Sequence, residues 1–137
     1  MLTRKEQELK QREDLKERGL KRIIEYDLEV DGTTTCLLYD PVNQIVVARG
    51  LAIKSPFDQL DRREGRVRAT ARALRACSRQ LSSGPVETNR YHSTQHQHLY
   101  ELIKKTYMVK SDYYPRLRSR ELRVVREFEE KAKRSTE

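Results

Sequence analysis

Between Ile24 and Val30 apolar and acidic residues alternate without a break: Ile24, Tyr26, Leu28 and Val30 against Glu25, Asp27 and Glu29. A period of two sends alternate side chains to opposite faces of a strand, so one face is expected to be buried and the other wet. Asp31-Gly32 follows, and both residues tolerate the positive φ that a two-residue hairpin turn demands. Thr33 to Asp40, rich in β-branched residues, is the predicted returning strand. Pro41-Val42-Asn43-Gln44 makes the next turn, with Pro41 at its first central position, and Ile45 to Ile53 is the third strand. The chain therefore predicts a three-stranded antiparallel meander, which needs a cover for its apolar face.

The cover is supplied after residue 60. Asp61-x-x-Glu64 offers a cap and a first-turn acid for a helix reaching about Leu81. Val67, Thr70, Ala71, Leu74, Cys77 and Leu81 share one side of it, centred on the line through Val67 and Leu74. Upstream, Thr3 to Arg18 is a second helix, opened by the capping-box pattern Thr3-x-x-Glu6 and closed by Gly19. Only Leu9 and Leu15 are apolar within it, while Glu6/Lys10 and Glu8/Arg12 form favourable pairs one turn apart. With so little to bury, this helix is expected to be detached, or ordered by a partner or a second copy. Ser82-Ser83-Gly84-Pro85 reads as a linker. A helix is expected from about Ser93 to Val109, with Leu99, Leu102, Ile103 and Tyr107 inward. A last one runs from Pro115 to about Lys133, with Leu117, Val124, Val125 and Phe128 on its apolar side. The expected class is α+β: a charged N-terminal helix over 1–20, the meander and Arg-rich helix over 21–84, and a basic region of two helices over 85–137.

Charge divides the chain unevenly. Of 137 residues, 29 are Lys or Arg and 21 Asp or Glu, a net charge of +8. Residues 21–60 carry a small negative excess, and the positive excess begins abruptly at Asp61-Arg62-Arg63. A basic half joined to a slightly acidic half suits an anionic partner, with nucleic acid first and a nucleotide or acidic protein surface next. The longest aliphatic run, Ile45-Val46-Val47-Ala48, is far short of a bilayer span, and no apolar stretch follows the first basic residues as in a secretory signal. No membrane partner is expected. Cys36 and Cys77 are too few for a disulfide framework or zinc ribbon and read as reduced thiols of a cytoplasmic protein.

The Arg-rich helix carries the sharpest functional signal. Seven arginines fall between positions 62 and 79, against Asp61 and Glu64 alone. Arg68, Arg72, Arg75 and Arg79 lie on a line roughly 140° from the Val67/Leu74 line, by the 3.6-residue period. Arg62, Arg63 and Arg66 crowd the first turn. One side of the helix can pack on the sheet while another presents guanidinium groups, which bind phosphate in bidentate fashion. The plainer reading is a solvated surface that uses arginine for solubility. A second candidate region is basic and aromatic: Tyr91, Tyr100, Lys104 and Lys105, with Arg90, suit stacking and phosphate contact, though Tyr100 and Tyr107 also suit core edges.

The order helix, strand, strand, strand, helix over residues 3–81 resembles that of the double-stranded-RNA-binding domain. The similarity is closest in Asp61-Arg62-Arg63-Glu64-Gly65-Arg66-Val67-Arg68-Ala69-Thr70-Ala71-Arg72-Ala73-Leu74, where the family has a lysine pair, a small residue, another lysine, alanines and a leucine. The resemblance implies phosphate contacts by Arg62, Arg63 and Arg66 across a groove of A-form RNA. The chain departs from the family in its first helix, in its short Asp31-Gly32 turn without the groove-entering loop, and in Gly65, where alanine is usual. Ala48-Arg49-Gly50-Leu51-Ala52, Ser55-Pro56-Phe57-Asp58 and Gly65-Arg66 through Leu74 also resemble small bacteriophage-encoded accessory proteins, which implies a protein that binds and blocks host machinery.

His92, His96 and His98 lack a completing cysteine and read as polar surface rather than a metal set. No Gly-rich phosphate loop or nucleophile elbow is present, so no enzyme and no cofactor is expected. The leading expectation is a non-enzymatic protein that engages structured RNA or duplex nucleic acid. The alternatives are a phage-encoded inhibitor docking on a host protein or ribonucleoprotein, and an oligomer sequestering an anionic nucleotide.

Overall fold

The computed structural model describes residues 2–27, 33–53, 62–79, 115 and 117–136. Among these are three helices and three strands in an α+β arrangement. Helix α1 spans Arg4–Arg18, strands β1, β2 and β3 span Lys21–Asp27, Thr33–Asp40 and Ile45–Ile53, and helices α2 and α3 span Arg62–Ser78 and Ser119–Thr136. The strands form one antiparallel sheet in the order β1-β2-β3.

Local chemistry sets the element ends. Thr3 Oγ1 accepts the Glu6 amide at 3.1 Å and caps α1, and Gly19 closes it in the left-handed region at φ 70°. Asp40 accepts the Val42 and Asn43 amides at 2.9 and 3.3 Å, which fixes the turn between β2 and β3. The β1–β2 register corrects one expectation. A two-residue turn at Asp31-Gly32 would pair Val30 with Thr33, but Thr33 pairs with Asp27, and β1 starts at Lys21 rather than Ile24. The early start serves packing, since Ile23, opposite Leu37, is buried. Residues 28–32 lie outside the described residues, as do the linker and the helix expected over 93–109.

Both faces of the sheet are covered. On one, Cys36, Leu38 and Ala48 meet Ala69, Ala73 and Leu74 of α2 and Leu15 of α1. On the other, Ile23, Leu37, Tyr39 and Val46 meet Val125, with Leu117, Val124 and Phe128 of the α3 segment beside it. The alternation of Cys36 and Leu38 with Leu37 and Tyr39 is the strand period expressed twice, once toward each helical layer. The predicted wet face is thus a buried one. Glu25 lies under α3, with the Arg120 guanidinium against its carboxylate.

Helix α2 is also turned from its expected orientation. Ala69, Thr70, Ala73 and Ala76 are fully buried, so the sheet-facing line runs through Thr70 and Ala73, roughly 80° from the Val67/Leu74 line. The cause is close approach. A Cβ on Gly50 would stand 2.1 Å from the Ala69 carbonyl oxygen, and one on Gly65 would meet Thr34 Oγ1 at 2.6 Å. Small residues on both sides let helix and sheet backbones touch, while Val67 and Leu74 sit at the flank, toward α1.

Nor is α1 detached. Leu15 enters the core, Gln11 Nε2 donates to the Val67 carbonyl at 2.8 Å, Arg4 meets Glu64 at 3.1 Å, and Arg18 donates to Ser78 Oγ at 3.0 Å. The sparse apolar content is supplemented by these polar contacts and by Glu8, which is buried despite its charge.

Candidate nucleic-acid interface

The seven arginines of α2 divide by what the turned helix brings to each. Arg68, Arg75 and Arg79 are exposed on the side opposite the sheet. Arg68 reaches one turn back to Glu64 at 2.7 Å, whereas Arg75 and Arg79 make no side-chain ion pair or hydrogen bond with the described residues. Their line runs along the outside of α2 for about 16 Å from Arg68 to Arg79, at 1.5 Å rise per residue. Arg72, expected on the same line, is half-buried and donates to the Leu51 carbonyl of β3. It stitches the helix to a strand at the edge of the described sheet.

The first turn is organised around Glu8 and Tyr26. Glu8 receives Arg66 Nε at 2.9 Å and Arg22 Nη1 at 3.0 Å, with Arg63 Nε at 3.7 Å. Arg66 Nη1 also donates to Tyr26 Oη at 3.0 Å, and the Arg62 guanidinium lies 5.1 Å from the centre of the Tyr26 ring, a cation–π distance. Hydrogen bonding from Arg66 outweighs burial and holds the Glu8 carboxyl at about 2, below its ordinary 4.5. The same bond raises the already high pKa of Arg66. Arg66 is therefore committed to joining α1, β1 and α2. Arg62 and Arg63 stay exposed at the helix start, positioned by Tyr26 and Glu8.

Glu8 and Tyr26 were not singled out in the sequence as site residues. Glu8 lies seven residues before Leu15, on the same side of a helix, and that spacing was the available signal. Its expected partner, Arg12, was the wrong one, because Arg22 and Arg66 converge on it from the sheet and α2.

Tyr91, Tyr100, Lys104 and Lys105, with His92, His96 and His98, lie outside the described residues. Cys36 is buried and its thiol is pushed up to about 12 by loss of solvent, so it stays protonated at neutral pH. No helix among the described residues is long and apolar enough to cross a membrane. Comparison with protein families, characterised proteins and solved structures finds no match for the chain.

Proposed function

We propose that the chain is a non-enzymatic protein that binds structured RNA or duplex nucleic acid through backbone phosphates, using the outer side of α2. The observation that carries this reading is the exposed arginine line Arg68, Arg75 and Arg79, two of whose members have no partner among the described residues, continued by Arg62 and Arg63 at the helix start. Exposed guanidinium groups in a row on a helix can replace counterions along a phosphate backbone. Arg66 and Arg72 belong to the fold in this reading and do not contact the ligand.

The test is the salt dependence of duplex binding. Affinity falls with log salt at a slope of about −0.9 per neutralised phosphate. Arg75→Gln/Arg79→Gln is expected to flatten the slope by about 1.8 while the melting temperature holds. An unchanged slope removes Arg75 and Arg79, and with them the outer arginine line, from the interface. Absence of duplex binding, with stoichiometric capture of an acidic protein, replaces the reading with that of a protein-docking inhibitor.

A further inference from the structure

A second set of cations lies away from the outer side of α2. Arg12 and Lys16 of α1 and Lys21 and Arg22 of β1 line an open groove of ≈ 360 Å³ with Leu15 and Leu20. None of the lining residues is acidic. Glu8 holds Arg22 together with Arg66, Asp14 takes Arg18 at 2.7 Å, and Glu13 and Glu17, though on the same helix, do not line the groove. Arg12, Lys16 and Lys21 are exposed and make no ion pair with the described residues.

Arg12 and Lys16 stand one helical turn apart, an arrangement that repels in the absence of a shared anion. The fold adds a third charge at Lys21 and a partly buried guanidinium at Arg22, whose Nη1 reaches Glu8 at 3.0 Å and Thr70 Oγ1 at 3.5 Å. Arg22 Nε and Nη2 have no acceptor among the described residues and are not sealed from solvent. At the end of α1 the Gly19 and Leu20 amides take the Lys16 and Leu15 carbonyls at 3.2 and 2.9 Å, so those two acceptors are closed. What remains is a set of donors beside two leucines, which reduce local solvent and strengthen attraction to an anion.

We propose that the α1–β1 groove is a binding site for a phosphoryl group, held by Arg12, Lys16 and Lys21 with Arg22 at its inner wall. A tetrahedral oxyanion suits this set, since Arg supplies paired N–H donors and the lysines supply movable point charges. The site is independent of the arginine line on α2, which uses none of these residues.

The experiment is an amide NMR titration of the full chain with inorganic phosphate, against sodium chloride at matched ionic strength. Saturable shifts confined to Lys16 and residues 19–22, seen with phosphate and not with chloride, are expected. Lys16→Gln/Lys21→Gln should weaken saturation by about tenfold or more, as loss of charge-assisted hydrogen bonds implies. Both side chains are exposed and unpaired, so the variant should melt with wild type. Equal shifts with chloride, or a variant that saturates like wild type, overturn the site. A nucleoside monophosphate and a 5′-phosphorylated duplex then separate the sources: tighter saturation of these amides by the former assigns a small phosphorylated ligand, by the latter a nucleic-acid end. In Arg75→Gln/Arg79→Gln these shifts should persist, so failure of the α2 reading leaves this one standing.

Discussion

On one face of the sheet α2 comes so near that β3 has no room for a side chain at Gly50, and the contact is made by alanines and backbone. On the other face α3 is fastened by charge. Arg49 Nη1 donates to Glu121 Oε1 at 2.7 Å with both side chains almost wholly buried, and Arg118 Nε and its amide reach the same oxygen at 3.2 and 2.9 Å. Glu121 occupies the third position of α3 and accepts the amide just ahead of the helix, so one carboxylate caps α3 and anchors it to β3. Close packing is insensitive to salt and pH but intolerant of volume. A buried ion pair tolerates neither loss of a partner nor a change of protonation. The two covers of one sheet should therefore fail under different perturbations.

The largest effect is expected from Arg49→Met. It leaves Glu121 buried with Arg118 as its remaining cation among the described residues, and breaking such a pair costs about 3–5 kcal/mol. Arg49→Met/Glu121→Leu removes both charges and should recover most of the loss in urea unfolding. If the single and double variants unfold alike, α3 is held by its apolar side, and the contrast between the faces disappears.

Gly50→Ala tests the other face. The added Cβ meets backbone rather than a movable side chain, so a loss of about 3 kcal/mol is expected, at the upper end for overpacking. A second-site Ala73→Gly would not relieve it, because the nearest atoms are the Ala69 carbonyl oxygen and the Ala73 amide nitrogen. An unfolding curve for Gly50→Ala that matches wild type would show that α2 does not sit this close.

These two sites mark what was legible in the sequence. The meander, the ends of α1 and the apolar side of α3 follow from periodicity and caps, which are local. Arg49 with Glu121, and Glu8 with Arg66, are partners 72 and 58 residues apart. Each looks like a surface charge until its partner is placed. Glu25 read as wet because acidic alternation signals a solvated face, and the arrival of Arg120, with Arg118 near, makes its burial tolerable. The orientation of α2 was misread because hydrophobicity weights Val67 and Leu74 over alanine, while contact between backbones selects Ala69, Ala73 and Gly50. For the candidate site, the arginine count was visible, but its division into fold and ligand arginines depended on that rotation.

Acidity should separate the faces by sign. Glu8 lies well below its ordinary range in the folded chain, so its contribution is complete above pH 4.5 and lost as pH falls through 2. Glu25 is displaced upward, chiefly by burial, against the pull of Arg120. Its contribution is present below its unfolded pKa and lost as pH rises through the folded one. Urea unfolding followed from pH 7 to pH 2 should show Glu8→Gln losing about 2 kcal/mol of stability at pH 7 and almost none at pH 2. Glu25→Gln should instead remove a smaller gain on the approach to pH 4.5 from above. Parallel pH profiles for the two variants would mean that the two carboxylates sit in equivalent surroundings.

The smallest effect decides the orientation of α2 most directly. With the helix centred on Val67 and Leu74, Arg72 and Arg75 share one solvated row, and truncating either should change stability by less than about 0.5 kcal/mol. With the helix turned toward Thr70 and Ala73, Arg72 reaches the Leu51 carbonyl while Arg75 points away from the sheet. Arg72→Ala should then cost about 1 kcal/mol, the scale of one hydrogen bond to a part-buried acceptor, and Arg75→Ala should stay within about 0.5 kcal/mol. Duplex binding should rank them in the opposite order, because Arg75 belongs to the outer line and Arg72 does not. Equal melting temperatures with equal salt slopes would return the helix to its predicted orientation and Arg72 to the phosphate-binding row.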